Sequence, residues 1–197
     1  MVWKNDQVSE KETEKILELA TGALKIEGDF VELGCYKGDT SLMLAGLIVE
    51  NSVEKSAKKL WIYDSFEGLP EKSRRDISAL GMDFQAGVLS VTKREVKERF
   101  LRANMPVPMI KKGWFSELTE KDLPEKIAFA FLDGDLYESI RDSLKLVETK
   151  MITNGTIVIH DYNNPALPGV AKAVNEWLTG RRLKVTYFQS LAIISML

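Results

Sequence analysis

Phe30-Val31-Glu32-Leu33-Gly34-Cys35-Tyr36-Lys37-Gly38, followed by an apolar run from Thr40 to Val49, is the stretch on which the fold turns. Four strand-forming residues end in a turn bounded by Gly34 and Gly38, and residues 40–49 carry apolar side chains on most sides of a helix. Strand, tight turn and helix in this order make the first part of a βαβ unit. The rhythm continues outward, with strands predicted over 60–63, 107–110, 127–132 and 156–159. Helices are predicted over 93–103, 136–150 and 170–178, and a short one near 115–121. Upstream, Ser9-Glu10-Lys11-Glu12 has the Ser-x-x-Glu form of a capping box, and Ile16, Leu19, Ala20, Ala23 and Leu24 recur at helical spacing. Alternating strands and helices imply a mostly parallel sheet covered on both faces. Two closing strands, 183–188 and 191–196, stand too close for a crossover helix and should form an antiparallel hairpin. The expected fold is therefore α/β and Rossmann-like, a seven-stranded mostly parallel sheet with a C-terminal antiparallel hairpin. The 197 residues are expected to form a single domain.

Composition narrows the function. Lys and Arg number 27 against 29 Asp and Glu, for a net charge of −2. That balance argues against a dedicated nucleic-acid surface. Trp3, Trp61, Trp114 and Trp177 are scattered and give no base-stacking platform. No run approaches the ~20 apolar residues of a membrane span, so no membrane partner is expected. A single cysteine, Cys35, and an N-terminus carrying Lys4, Asp6 and Glu10 in place of an apolar signal core lead to the expectation of a cytoplasmic protein. Small-molecule partners fit best. Residues 66–90 break the rhythm, mixing Gly68, Pro70, Gly81 and Gly87 with Glu71, Lys72, Arg74, Arg75 and Asp76. A long irregular segment inside a compact domain reads as a lid beside a site, or as a surface insertion.

The turn after the first strand lacks the Gly-x-Gly-x-x-Gly dinucleotide fingerprint, because Tyr36 stands where the second Gly would admit a pyrophosphate. A ligand without a pyrophosphate is favoured, and S-adenosylmethionine (AdoMet), whose cationic groups suit Glu32, is one. Asp64 closes the next strand, where it can accept hydrogen bonds from ribose hydroxyls or cap the following turn.

Two more strands end in acids, in Phe131-Leu132-Asp133-Gly134-Asp135 and Ile159-His160-Asp161. One helix lies between them, so the strands should be neighbours and Asp133 and Asp161 should share one rim. Hard oxygen ligands of this kind suit Mg²⁺ or a similar divalent cation. Asp135 precedes an apolar-periodic helix and is expected to be its N-cap. His160, the chain's single histidine, reads either as a core residue or as a ligand or proton carrier. Cys35 is expected to be a buried filler.

Four blocks carry a resemblance to a known family. They are Val31-Glu32-Leu33-Gly34-Cys35-Tyr36-Lys37-Gly38, Tyr63-Asp64-Ser65-Phe66-Glu67-Gly68-Leu69-Pro70, Leu132-Asp133-Gly134-Asp135-Leu136-Tyr137-Glu138-Ser139, and His160-Asp161-Tyr162 with Pro168-Gly169-Val170-Ala171-Lys172-Ala173-Val174. Together with Gly113-Trp114-Phe115 they resemble the macrocin O-methyltransferase family, metal- and AdoMet-dependent enzymes that methylate sugar hydroxyls of natural products. The resemblance implies a class I methyltransferase sheet in which Glu32, Gly34 and Asp64 line the cofactor. Tyr36, Gly38, Thr40, Ser41, Ser65 and Asp133 are further cofactor-binding candidates within or beside these blocks. It implies a metal held by Asp133, His160 and Asp161, with Asp133 doubling as the catalytic base. The family more often has two consecutive Asp where this chain has His160-Asp161. The partner implied is a small-molecule hydroxyl acceptor such as a sugar or vicinal diol, and assembly as a homo-oligomer is compatible with it. Two other readings share these residues: a non-catalytic AdoMet-binding module, and a metal-dependent hydrolase using the same carboxylates.

Overall fold

The structure, a computed structural model, describes residues 5–51, 58–81 and 84–197. Seven strands form one sheet: β1 (Asp29–Leu33), β2 (Leu60–Asp64), β3 (Met109–Lys112), β4 (Ile127–Leu132), β5 (Met151–Ile159), β6 (Lys184–Phe188) and β7 (Leu191–Ser195). Their order is β3-β2-β1-β4-β5-β7-β6. The pairs from β3 across to β5 are parallel, and β7 runs antiparallel to both β5 and β6. The expected hairpin closes the sheet.

Among the described residues five α-helices cover it: α1 (Glu10–Ala23), α2 (Asp39–Glu50), α3 (Lys93–Arg102), α4 (Tyr137–Glu148) and α5 (Pro168–Leu178). The capping box of α1 forms, with Glu12 N–H donating to Ser9 Oγ and Ser9 N–H to Glu12 Oε2. Every residue of β4 is buried, as expected of a central parallel strand covered on both faces. On one face Val31, Leu33, Ala130 and Leu132 pack with Ile140, Leu144 and Val147 of α4 and with Val170, Val174 and Trp177 of α5. On the other, Phe30, Phe129 and Phe131 meet Ile16 and Ala20 of α1, Leu42 and Leu44 of α2, and Phe100 of α3. Among the described residues, no helix is long and apolar enough to cross a membrane.

Three elements depart from expectation. β3 lies two residues later than predicted, because Pro106 and Pro108 interrupt its start; Lys111 and Lys112 are tolerated in the strand because it is a sheet edge. β5 begins at Met151, well before the predicted 156. Its irregular start places Asn154 at φ 64° and lets Asn154 N–H donate to the Met196 carbonyl. The predicted short helix is two 3₁₀ turns, Phe115–Glu117 and Glu120–Asp122.

The 66–90 segment is pinned at several points. Leu69 N–H donates to the Val88 carbonyl, Gly87 N–H to the Leu69 carbonyl, and Ser78 Oγ to the Pro165 carbonyl. A 3₁₀ turn, Arg74–Asp76, ties it to α5 through an Arg75–Glu176 ion pair. Residues 82 and 83 of the segment lie outside the described residues.

Candidate functional site

The chain runs β1, β2, β3 in one direction along the sheet and then returns to place β4 on the other side of β1. Ligands in open α/β sheets bind beyond the strand ends at such a reversal. A cavity of about 520 Å³ opens there, and Glu32, Gly34, Tyr36, Thr40, Asp64, Ser65, Asp133, His160 and Asp161 all lie on its walls. Gly38 and Ser41 are not among its lining residues. Gly38 is the N-cap of α2, held at φ 83°, and Ser41 is fully buried behind the cavity.

The β1 and β4 ends touch at one point. A Cβ on Gly34, whose φ is 91°, would stand 2.1 Å from the Asp133 carbonyl oxygen, so only glycine fits. Asp64 organises the turn beyond. Its Oδ2 accepts the Cys35 and Tyr36 N–H groups at 2.9 and 3.2 Å, and its Oδ1 accepts Phe66 N–H at 2.7 Å. The carboxylate thus shapes both the β1 and β2 turns, and a carboxylate retains acceptor capacity beyond three such bonds. Ser65 Oγ donates to the Gly68 carbonyl at 3.2 Å and accepts Glu67 N–H. Thr40 Oγ1 accepts from Asn5 Nδ2 at 2.8 Å.

Glu32 is buried and accepts a short hydrogen bond from Ser41 Oγ. Burial pushes its carboxyl up to about 8, against the Ser41 bond and with the support of the negative Asp133, Asp64 and Asp39. Near neutral pH it is therefore largely protonated. Cys35 is buried, and burial raises its thiol well above the ordinary range, which keeps it unreactive.

The acid half converges. His160 Nδ1 lies 3.0 Å from Asp133 Oδ1 and 3.1 Å from Asp161 Oδ2. Parallel pairing sets this up, since Asp133 N–H donates to the Leu33 carbonyl and His160 N–H to the Leu132 carbonyl. One donor atom from each of the three residues lies within 4.8 Å of the others, a spacing that fits a divalent cation. Behind the ring, Glu12 Oε2 stands 3.9 Å from His160 Nε2. Burial of the ring disfavours its charged form, but Asp133, Asp161 and Glu12 outweigh this and hold His160 above its ordinary range. Burial likewise opposes charge on Glu12, and its bonds to His160, Ser190 and Ser9 prevail, holding it below the usual carboxylate range.

Asp135 is not the cap of α4. Leu136 occupies the N-cap position, and Asp135, at φ 58°, directs its half-buried carboxylate to the cavity. The cap comes from the 66–90 segment: Asp76 Oδ1 accepts Tyr137 N–H at 2.7 Å. Local sequence offered no sign of a partner so distant, although Ser73-Arg74-Arg75-Asp76 has capping-box spacing and Asp76 Oδ2 accepts from Ser73 N–H and Oγ. Burial and the neighbouring Asp133 and Asp161 carboxylates raise Asp135 well above the ordinary carboxylate range. Among the described residues its carboxylate accepts no hydrogen bond.

Sequence reasoning also passed over Asn5 and Gln7, which reach the cavity from ahead of α1, and Glu12, whose capping-box role concealed its contact with His160. An apolar wall of Leu69, Phe84, Val88, Trp114, Phe115 and Leu167 completes the cavity, with Arg141 beside it. Much of this wall, Pro70 and Leu89 included, comes from the 66–90 segment.

The chain is similar to known methyltransferases along most of its length. It is 29% identical over 158 residues to the 8-demethyl-8-(2,3-dimethoxy-alpha-L-rhamnosyl)-tetracenomycin-C 4'-O-methyltransferase of Streptomyces olivaceus, a match covering 77% of this chain and 58% of the relative. To the demethyldecarbamoylnovobiocin O-methyltransferase of Streptomyces niveus it is 26% identical, with the same coverage. It thus spans under two thirds of the length of these relatives. Among solved structures, the O-methyltransferase NovP superposes with a TM-score of 0.79 at 23% identity, covering 94% of this chain and 79% of that one, which shows the shared fold. The profile of the Macrocin-O-methyltransferase (TylF) family matches residues 12–189, and the chain belongs to that family.

Proposed function

We propose that the chain is an AdoMet-dependent O-methyltransferase that acts, with a divalent cation, on a hydroxyl of a small molecule such as a sugar or vicinal diol of a natural product. One observation carries this reading: a single cavity joins the Glu32–Gly34–Asp64 turn to the Asp133–His160–Asp161 cluster. The tetracenomycin and novobiocin relatives, named for O-methylation of natural products, support the acceptor class.

Glu32, buried at the strand end, would meet the cationic amino-acid part of AdoMet, and the Asp64 turn would hold its ribose. Gly34 lets the β1 and β4 ends close up at the cavity wall, and Tyr36, Thr40 and Ser65 border the same space. Gly38 and Ser41 act from behind, the first by starting α2 and the second by fixing Glu32. Asp133, His160 and Asp161 would hold the cation, which when bound lowers the pKa of a coordinated hydroxyl and fixes its position.

The reaction is a displacement in which the acceptor oxygen attacks the methyl carbon and the sulfonium leaves as a thioether. Alignment in a near-attack arrangement supplies up to ~7–11 kcal/mol. The acceptor proton then needs a base. Asp133 Oδ1 is engaged by His160, whereas Asp135 faces the same cavity with no hydrogen-bond partner among the described residues. Burial and the Asp133 and Asp161 charges keep Asp135 protonated while nothing offsets them. With those charges offset by a cation held on Asp133, His160 and Asp161, Asp135 would ionise and become the proton acceptor, with Asp133 the ligand. The 66–90 segment, supplying Leu69, Phe84 and Val88, acts as a lid that excludes water.

Incubation with methyl-labelled AdoMet and a panel of deoxysugar glycosides, diols and catechols, with and without divalent cation, tests the proposal. Label transfer that needs the cation is expected; absence of transfer to the whole panel would count against it.

A further inference from the structure

The Asp133–His160–Asp161 cluster carries a donor that an all-oxygen site lacks. His160 Nδ1 points between Asp133 and Asp161, at 3.0 and 3.1 Å from their oxygens, while Nε2 points back towards Glu12. The ring is buried, so its orientation is set by protein and not by solvent. Glu12 is itself fixed: Oε2 accepts from Ser9 N–H and Oγ, and Oε1 accepts from Ser190 N–H and Oγ in the β6–β7 turn. The N-terminal helix and the C-terminal hairpin thereby clamp one carboxylate behind the imidazole.

We infer that this centre selects a first-row divalent transition-metal ion over Mg²⁺, with His160 Nδ1 as a ligand and Glu12 as the positioning residue that orients the ring. The inference rests on the methyltransferase reading only in using the same metal position. Mg²⁺ strongly prefers oxygen ligands, whereas imidazole nitrogen favours Mn²⁺, Co²⁺ or Zn²⁺, increasingly so along the Irving–Williams order. Histidine ligands commonly present their second nitrogen to a carboxylate, which fixes the tautomer and frees the first nitrogen's lone pair. Glu12 stands on that side. At 3.9 Å it is in ion-pair range and beyond direct hydrogen-bond length, so it steers the ring electrostatically or through a bridging water.

The chain's single histidine makes the test specific. Untagged protein is loaded with Mn²⁺ and its pulsed electron paramagnetic resonance recorded for imidazole ¹⁴N coupling. Mn²⁺ and Mg²⁺ affinities are measured separately by calorimetry. Expected are a nitrogen coupling that disappears in His160→Asp, and Mn²⁺ bound at least ~10-fold more tightly than Mg²⁺, with that ratio collapsing in His160→Asp/Glu12→Gln. The double variant removes the carboxylate that would repel the new Asp. Glu12→Gln alone, checked for folding by circular dichroism, should weaken Mn²⁺ by about 10-fold or more. Mn²⁺ bound without nitrogen coupling, Mg²⁺ bound as tightly as Mn²⁺, or no binding of either ion would overturn the inference. An unchanged Mn²⁺ affinity in Glu12→Gln would overturn the role of Glu12. Loss of AdoMet binding with metal binding retained would instead overturn the methyltransferase reading, so the two failures are distinguishable.

Discussion

Asp76 Oδ1 accepts the Tyr137 backbone N–H at 2.7 Å, so a carboxylate from the segment after β2 closes the first turn of α4, the helix that follows Asp133 and Asp135. The same oxygen leaves no room at residue 169, where a Cβ would approach it to 1.8 Å. The 66–90 segment, α4 and α5 are thus locked around one buried acid.

Asp76→Ala removes an acceptor from a buried helix N-terminus and should lower the unfolding free energy by about 1–3 kcal/mol. Gly169→Ala strains the same contact and should destabilise comparably, and the double variant should lose less than the sum. Urea denaturation of the four proteins measures this; strict additivity would show that the two sites are independent.

Glu32 gives a pH signature. Its folded-state value of about 8 exceeds the ordinary 4.5, so between these values the native state holds a proton the unfolded chain has lost. Stability from this group is full below about pH 4.5 and declines as pH rises towards 8, by at most about 1.4 kcal/mol per pH unit. Glu32→Gln should flatten that decline relative to the native chain in thermal melts from pH 5 to 8. An identical slope in both would contradict the assignment.

Asp64→Ala strips the acceptor from three turn N–H groups. AdoMet affinity should fall at least ~10-fold, with a stability loss of about 1–3 kcal/mol. Calorimetry and denaturation read the two effects; an unchanged dissociation constant would remove Asp64 from the cofactor site.

Asp161→Asn and Asp135→Asn should separate ligand from base. The first should weaken the cation by 10-fold or more while AdoMet affinity stays within a few-fold. The second should leave cation affinity intact and lower kcat by roughly 10²–10⁴, the range for a lost general base. Equal loss of cation affinity in both variants would place Asp135 among the ligands.

The fold was legible because it is written in local pattern. Buried runs such as Ile127–Leu132 and the Ser9–Glu12 capping box read the same way in the chain as in space. Errors fell where a neighbour decides the outcome. β3 begins late because its prolines resist pairing and its lysines are tolerated at an edge. The β5 start is stabilised by the far C-terminus. In the site, Asp64, Asp133, His160 and Asp161 stand at strand ends, so sheet register alone gathers them. Glu12 and Asp76 act across long sequence separations; Glu12 looked complete as a local cap, and Asp76 was one charge among several in an irregular segment. Asp135 was misread for the converse reason: its place before α4 suggests a cap, but its left-handed backbone turns the carboxylate into the cavity.

The most direct test of the account is a calorimetric titration of the full chain with AdoMet. One-site binding is predicted, weakened at least ~10-fold by Asp64→Ala and within a few-fold of the native value in Asp161→Asn. No binding, or binding indifferent to Asp64→Ala, would contradict it.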